Sequence, residues 1–98
     1  MNKSYRVRLL LAAQVSLLGF ISPNIRCIGC DAIGETILVK IIFDGEILDS
    51  DREAMDEVGT EIISHFKTEM IDVQCIRIDA PLPLGDEPLG LRVYQRKE

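Results

Sequence analysis

Carboxylates recur along the stretch from Asp44 to Phe66, DGEILDSDREAMDEVGTEIISHF. Three of them fall four residues apart, with a fourth beside them, and the set is Glu53, Asp56, Glu57 and Glu61. On a helix this spacing places them on one side, where like charges repel by roughly 0.2–0.5 kcal/mol per pair. No lysine follows until Lys67. The pattern fits a solvated helix face, or a docking surface for a protein partner with a basic surface, whose approach the charge would direct.

Cys27-Ile-Gly-Cys30 is the second group that could carry chemistry. With Cys75 and His65 it would supply a Cys3His set for zinc if the chain turned tightly at Gly29. In an extended strand, however, residues three apart point to opposite faces. A thioredoxin-like redox pair would need a helix directly after the motif, and none is indicated. We therefore predict structural cysteines, no metal and no cofactor, in a reducing cytoplasm.

His65 is the only histidine in the chain. A catalytic triad would have to use it, and no nucleophile motif accompanies it, so we expect it to cap the edge of the core; a general base is the alternative. Asp49, Asp51 and Glu53 imitate the start of a calcium loop, but Ala54 stands where glycine is required. No glycine-rich phosphate motif is present. We predict no catalytic residues.

The acidic residues need a helix to position them. Ser50 and Glu53 have the spacing of a capping box, which predicts where the helix begins. An apolar stripe then follows at helical spacing, formed by Met55, Val58, Ile62 and Phe66. The carboxylates fall on the opposite side.

The first 21 residues permit two interpretations. Lys3, Arg6 and Arg8 precede an apolar run from Leu9 to Ile21, which is the outline of a secretory signal. No small-x-small cleavage site follows, and the run is shorter than the ~20 residues that span a bilayer. We therefore predict a structural first helix, stopped by Gly19 and Pro23, and no membrane segment.

This first helix is apolar on more than one side. One stripe is Val7, Leu11, Val15 and Leu18, and the other is Leu9, Ala13, Leu17 and Phe20. A helix buried on one face would need only one of them. Either the rest of the protein covers both stripes or a second copy does, so a homodimer through helix 1 stays open.

Four strands complete the predicted elements. They are Asn24–Ala32 and Thr36–Phe43 around an Ile33-Gly34 turn, then 72–80 and 91–96. In the third strand, Ile76 and Ile78 are expected to face the core, with Cys75 and Arg77 facing away. Residues 81–90 are rich in proline, which lacks the ladder donor, and are predicted to form a loop.

The order α-β-β-α-β-β indicates an α+β fold in a single domain, 1–98. The economical packing is a mainly antiparallel four-stranded sheet with two helices on one face. The other face would be more basic and would carry Lys40, Arg77 and some of Arg92, Tyr94 and Arg96.

The net charge of −5 and the pI near 4.8 argue against a nucleic-acid-binding protein, which usually has a basic excess. Arg77, Arg92, Tyr94 and Arg96 could contact a single strand. We interpret them instead as charges that protect sheet edges from aggregation.

Four short sequence segments resemble segments of a known group of proteins. They are SPNIR at 22–26, FDGEI at 43–47, TEIIS at 60–64 and VYQRK at 93–97. Together, from about Leu10 onward, the chain resembles short bacterial proteins of the mobile gene-cassette (integron) and immunity-protein type. The resemblance implies a small cytoplasmic accessory protein, with a dimer as one form, and assigns no catalytic residue.

Two functions remain open from the sequence. The first is a non-enzymatic, immunity-like protein–protein interaction module that uses the acidic helix face, together with Asp86 and Glu87 in one version. The alternative is a small-molecule-binding protein or minor enzyme with a pocket between helix 1 and the sheet, or under the 81–90 loop.

Overall fold

The computed structural model describes residues 2–87 and 90–98. The elements in chain order are α1 (Lys3–Ser16), β1 (Ile25–Ile33), β2 (Thr36–Phe43), α2 (Asp49–Ile63), β3 (Met70–Arg77) and β4 (Leu91–Gln95). The α+β class with two helices and four strands is therefore confirmed. Pro88 and Leu89 of the predicted 81–90 loop lie outside the described residues.

The four strands form one mixed sheet in the order β3-β2-β1-β4. β1 pairs antiparallel with β2 and with β4, whereas β2 and β3 are parallel. The parallel pair follows from the connection, because α2 lies between β2 and β3 and carries the chain back to the starting edge. The sheet is thus mixed, with one parallel pair that the prediction of a mainly antiparallel sheet did not include.

One buried cluster joins the helices to the sheet. α1 and α2 contribute residues such as Leu9, Ala13, Met55, Val58 and Ile62. The strands contribute alternate residues, including Ile28 and Cys30 of β1 and Ile37, Val39, Ile41 and Phe43 of β2. We call the face that carries these strand residues the core face of the sheet. That both helices lie on this one face stays a prediction.

The predicted facing of the third strand is wrong. Ile71, Val73 and Cys75 pack against the core, so Cys75 points inward and Ile76, its neighbour, points away. The cause is the register: Val73 pairs with Val39 and Cys75 pairs with Ile41, and residues paired across strands share a face.

α1 ends close to Gly19, one of the two residues predicted to stop it. Its C-cap is Leu17, and Gly19 has a φ of 83°, a conformation that glycine adopts readily. No helix within the described residues is long and apolar enough to cross a membrane.

The predicted start of α2, with Ser50 as the N-cap residue, lies two residues too late. The helix begins at Asp49 with Leu48 as N-cap residue, and the Leu48 backbone N–H donates to Asp51 Oδ2 over 2.9 Å. Asp51 thus accepts the backbone hydrogen bond at the helix start that the predicted Ser50 capping box assigned to Glu53. α2 ends at Ile63, and Phe66 is buried beyond its end.

A network of ion pairs ties the end of the chain to β1. Arg26, only 3% exposed, lies at an irregularity in the strand register. Its Nε donates to Glu98 Oε2 over 2.7 Å and its Nη2 to Glu98 Oε1 over 2.8 Å. Its Nη1 donates to the Ile78 carbonyl over 2.8 Å. Arg96 joins the network through Glu98 and through Asp44.

Most of the cations expected to make the sheet side basic are paired. Lys40 contacts Glu87 at 3.2 Å, and Arg77 contacts Asp79 at 3.0 Å. With Arg96 also paired, the sheet side presents little free positive charge.

Candidate functional site

The acidic face of α2, which we define as Glu53, Asp56, Glu57 and Glu61, is exposed along its whole length. None of the four carboxylates takes part in an ion pair within the described part of the chain. The one cation inside α2, Arg52, is exposed and likewise forms no ion pair there. By contrast, Asp44, Asp79, Glu87 and Glu98 all have cationic partners. These four carboxylates are thus balanced among the described residues, whereas the acidic face of α2 is not.

The second feature is an apolar stripe on the outer side of α1. Its members are 46%, 60%, 50% and 74% exposed, for Val7, Leu11, Val15 and Leu18 respectively. The other predicted stripe is covered, since Leu9, Ala13 and Leu17 are buried. Contiguous exposed apolar surface marks interaction sites in soluble proteins.

A groove between the helices brings the two features together. One wall comes from the end of α1 and the residues after it, with Val15, Ser16, Leu18 and Phe20. The other comes from α2, with Asp56, Glu57, Thr60 and Glu61, and the groove has a volume of about 540 Å³. An apolar wall thus faces a carboxylate wall.

The groove continues toward the other end of α1. Arg8, Leu11, Val15, His65 and Phe66 are among the residues that line a second depression of about 330 Å³. There Arg8 Nη2 donates to the His65 carbonyl over 3.0 Å, and its guanidinium carbon lies 4.8 Å from the centroid of the Phe66 ring. This end of the groove is cationic. The stripe therefore runs from a positive end to a negative end.

Ser16 lies among the lining residues of the acidic groove and was not singled out from the sequence. Its side chain is 3% exposed, and its Oγ has no hydrogen-bond partner in the described residues. Unsatisfied buried hydroxyls are uncommon in folded proteins. The available signal was its place on the inner side of α1, seven residues after the buried Leu9.

His65 does not have the place predicted for it. The residue is exposed beyond the end of α2, and Phe66 covers the core there instead. Its backbone carbonyl accepts the hydrogen bond from Arg8 and so helps to hold Arg8 at this end of the groove.

The cysteines lie as an extended strand requires. Cys27 and Cys30 both belong to β1; Cys30 is on the core face, and the alternation of the strand points Cys27 to the opposite face. Burial raises the pKa of the Cys30 thiol to about 12, and burial also raises the pKa of Cys27 and of Cys75. Raised pKa values disfavour the thiolate that redox chemistry and metal binding require. No group of three potential metal ligands occurs among residues 2–87 and 90–98.

Tyr94 and Arg92, two of the residues weighed and set aside as contacts for a single nucleic-acid strand, lie on opposite faces of the sheet. Tyr94 pairs with Ile28 of the core face and packs against the core, whereas Arg92 pairs with Gly29 on the opposite face. A register irregularity between these pairs causes the division. An aromatic platform flanked by arginines is therefore not formed by these residues.

A depression between α1 and the sheet matches the place of the predicted small-molecule pocket. It is lined by residues such as Leu17, Ile21, Val93 and Tyr94 and has a volume of about 150 Å³. Small-molecule sites usually measure about 300–1,000 Å³. This depression is smaller than that range. One of about 380 Å³ at the start of α1, lined by residues that include Tyr5, Ala32 and Glu69, lies within the range, so cavity volume alone does not decide against the small-molecule function.

Residues 6–98 match the protein-family model described as MafI2 immunity protein. The chain belongs to the MafI2 immunity protein family. The immunity-protein part of the resemblance seen in the sequence is thereby confirmed. No curated protein matches the chain.

Proposed function

We propose that the chain is a non-enzymatic immunity protein, which neutralises a toxin by binding it directly. In this proposal the acidic face of α2 contacts a basic region of the toxin. The observation that carries the proposal is the exposure of Glu53, Asp56, Glu57 and Glu61 without ion pairs in the described chain. Membership of an immunity-protein family supplies the kind of partner.

The physics favours this surface over the sheet side. Glu57 and Glu61 are four residues apart on α2, and their mutual repulsion costs a few tenths of a kcal/mol in the free protein, about 0.2–0.5. A basic partner relieves that repulsion and is attracted over roughly the Debye length, ~8 Å at physiological salt. The chain's net charge of −5 adds to this attraction. Carboxylates that already form internal ion pairs, such as Glu98, attract a basic toxin surface much less strongly.

Several finer features belong to the same proposal. The protein acts in the cytoplasm, both helices cover the core face of the sheet, and Asp86 contributes at the edge of the contact. The gene lies in a mobile cassette (integron) beside the gene of its toxin. A toxin reading frame found directly upstream would support this arrangement, and neighbouring genes with no toxin among them would count against it.

The decisive experiment is a binding measurement with the toxin domain encoded next to this chain. We expect the dissociation constant to rise with added salt, because the encounter is electrostatic. Glu57→Lys combined with Glu61→Lys should raise the constant by about tenfold or more, which corresponds to roughly 1.4 kcal/mol.

A matched control separates a local effect from an effect of net charge. Glu35→Lys combined with Asp72→Lys changes the net charge by the same amount, and both residues are exposed and outside α2. This control should bind the toxin nearly as the wild type does. If both double variants weaken binding equally, or if salt has no effect, the acidic face is not the toxin site.

A further inference from the structure

The apolar stripe of α1 remains uncovered in the single chain. From Val7 to Val15 it extends about 12 Å along the helix axis, and Leu18 prolongs it past the helix end. Leu18 is 74% exposed, and Leu11 in the middle of the stripe is 60% exposed. A soluble protein that leaves such a surface open in one copy has a reason to cover it in the assembly.

The charges around the stripe define the orientation of what covers it. At the N-terminal end Lys3 and Arg8 flank the stripe, since Lys3 precedes Val7 by four residues and Arg8 precedes Leu11 by three. At the C-terminal end the groove is lined by Asp56, Glu57 and Glu61. A complementary partner is apolar in the middle, acidic at one end and basic at the other.

A second copy of this chain has that distribution when its α1 runs antiparallel. The basic end of each α1 then lies over the C-terminal end of the other, beside the carboxylates of α2. A parallel arrangement would place like charges together. A two-fold axis makes every contact twice, so one surface satisfies both copies.

We infer that the chain forms a homodimer in which two α1 helices cross antiparallel through Val7, Leu11, Val15 and Leu18. Lys3 and Arg8 of one copy lie against the Glu57 and Glu61 carboxylates of the other. Leu11 and Val15 form the centre of the interface. This inference goes beyond the proposed function, because it requires no toxin.

The dimer and the toxin share Glu57 and Glu61, so they exclude each other on one chain. The free protein is therefore a dimer, and the toxin complex contains one copy of each protein. As the concentration of the chain rises, a smaller fraction of it is monomeric, so the apparent dissociation constant for the toxin, expressed in total chain, increases.

The first test is the mass of the full chain in solution by analytical ultracentrifugation. The wild type should sediment as a dimer, and Leu11→Asp should give a monomer with unchanged far-ultraviolet circular dichroism. Leu82→Asp is the matched control, because Leu82 is 58% exposed and lies far along the chain in the 81–90 loop; it should leave the dimer intact. A wild type that stays monomeric up to about 1 mM, where even a millimolar dissociation constant would give dimers, overturns the inference.

The second test concerns the charges and keeps the inference falsifiable if Leu11→Asp fails to fold. One variant carries Lys3→Glu with Arg8→Glu, and the other carries Glu57→Lys with Glu61→Lys. In a dimer of either variant with itself, like charges face each other at both ends of the interface. The dissociation constant of that dimer should therefore rise by about tenfold or more. Mixed in equal amounts, they restore both sets of opposite contacts and should form a heterodimer.

A mixture that associates no better than its components excludes the antiparallel arrangement. The two proposals also fail separately. Leu11→Asp that is monomeric but still binds the toxin upholds both. A toxin that binds no variant removes the proposed function while the dimer stands.

Discussion

Gly59 is the position where one added carbon tests the packing of α2 against the sheet. A Cβ placed there would lie 2.6 Å from Cγ2 of Val73, on β3. The same Cβ would be 3.8 Å from Cδ1 of Ile71 and 4.0 Å from Cβ of Val73, which are ordinary contacts. The clash therefore comes from one methyl group, and Val73 is β-branched and stiff about its first torsion.

The effect of Gly59→Ala is the difference of two terms. Inside a helix alanine is favoured over glycine by roughly 0.5–1 kcal/mol. Overpacking a close-packed contact costs about 1–3 kcal/mol. We expect a net loss of about 1 kcal/mol, which for a domain of this size lowers the unfolding temperature by roughly 4–8 °C.

In a chain that carries Val73→Ala the methyl group is gone and the nearest remaining atoms are at ordinary distance. There Gly59→Ala should stabilise the fold by roughly 0.5–1 kcal/mol, because only the helix term remains. The same substitution thus changes sign between the two backgrounds.

Urea unfolding of the four chains, followed by circular dichroism, measures this cycle. The unfolding midpoints should move while the denaturant slope stays constant, as for a change in stability alone. If Gly59→Ala stabilises the wild type, or destabilises both backgrounds by the same amount, α2 does not pack on β3 as described.

The remaining predictions concern the ion-pair network, the thiols and the self-association. Hydrogen bonds from Arg26 hold the pKa of Glu98 at about 2, below its usual 4.5. Since the folded pKa is the lower one, this contribution to stability is complete above about pH 4.5 and is lost as the pH falls toward 2. Urea midpoints between these pH values should fall less steeply for Glu98→Gln than for the wild type, and equal slopes would contradict the role of the pair. Toward a thiol reagent at pH 8, half-buried Cys75 should react before Cys27 and Cys30, which are both 0% exposed; all three should react in urea, and equal native rates would argue against the described burial. In the presence of excess toxin domain, the sedimenting species should contain one copy of this chain, and a complex with two copies would contradict the competition between toxin and dimer.

The elements that local pattern determines were predicted well. The β1 and β2 strands and their turn follow from apolar alternation around Gly34, and the end of α1 follows from Gly19. These signals act over a few residues, so they are legible without knowledge of the tertiary fold.

The elements that depend on distant contacts were predicted poorly. Two alternations were available for the third strand, and only the parallel register with β2 selects the one that buries Val73 and Cys75. The start of α2 is an exception, since it was predicted wrongly although the deciding contact, from the Leu48 N–H to Asp51, is local. The buried Arg26 was also missed, although a charged residue inside the apolar strand IRCIGC was a signal for it.

Part of the candidate site could be predicted from the local sequence in the same way. Spacing alone placed Glu53, Asp56, Glu57 and Glu61 on one side of a helix, and their exposure agrees with that placement. The nearness of the α1 stripe to these carboxylates was not foreseen, because it arises from how the two helices pack.

The most direct test is to map the toxin footprint on the isotope-labelled chain by nuclear magnetic resonance. Titration with the proposed toxin partner should shift the backbone amide signals of residues 53–61 in α2, together with those along the outer side of α1 as the dimer separates. Shifts confined to the strands, with the α2 signals unchanged at saturation, would contradict recognition through the acidic face.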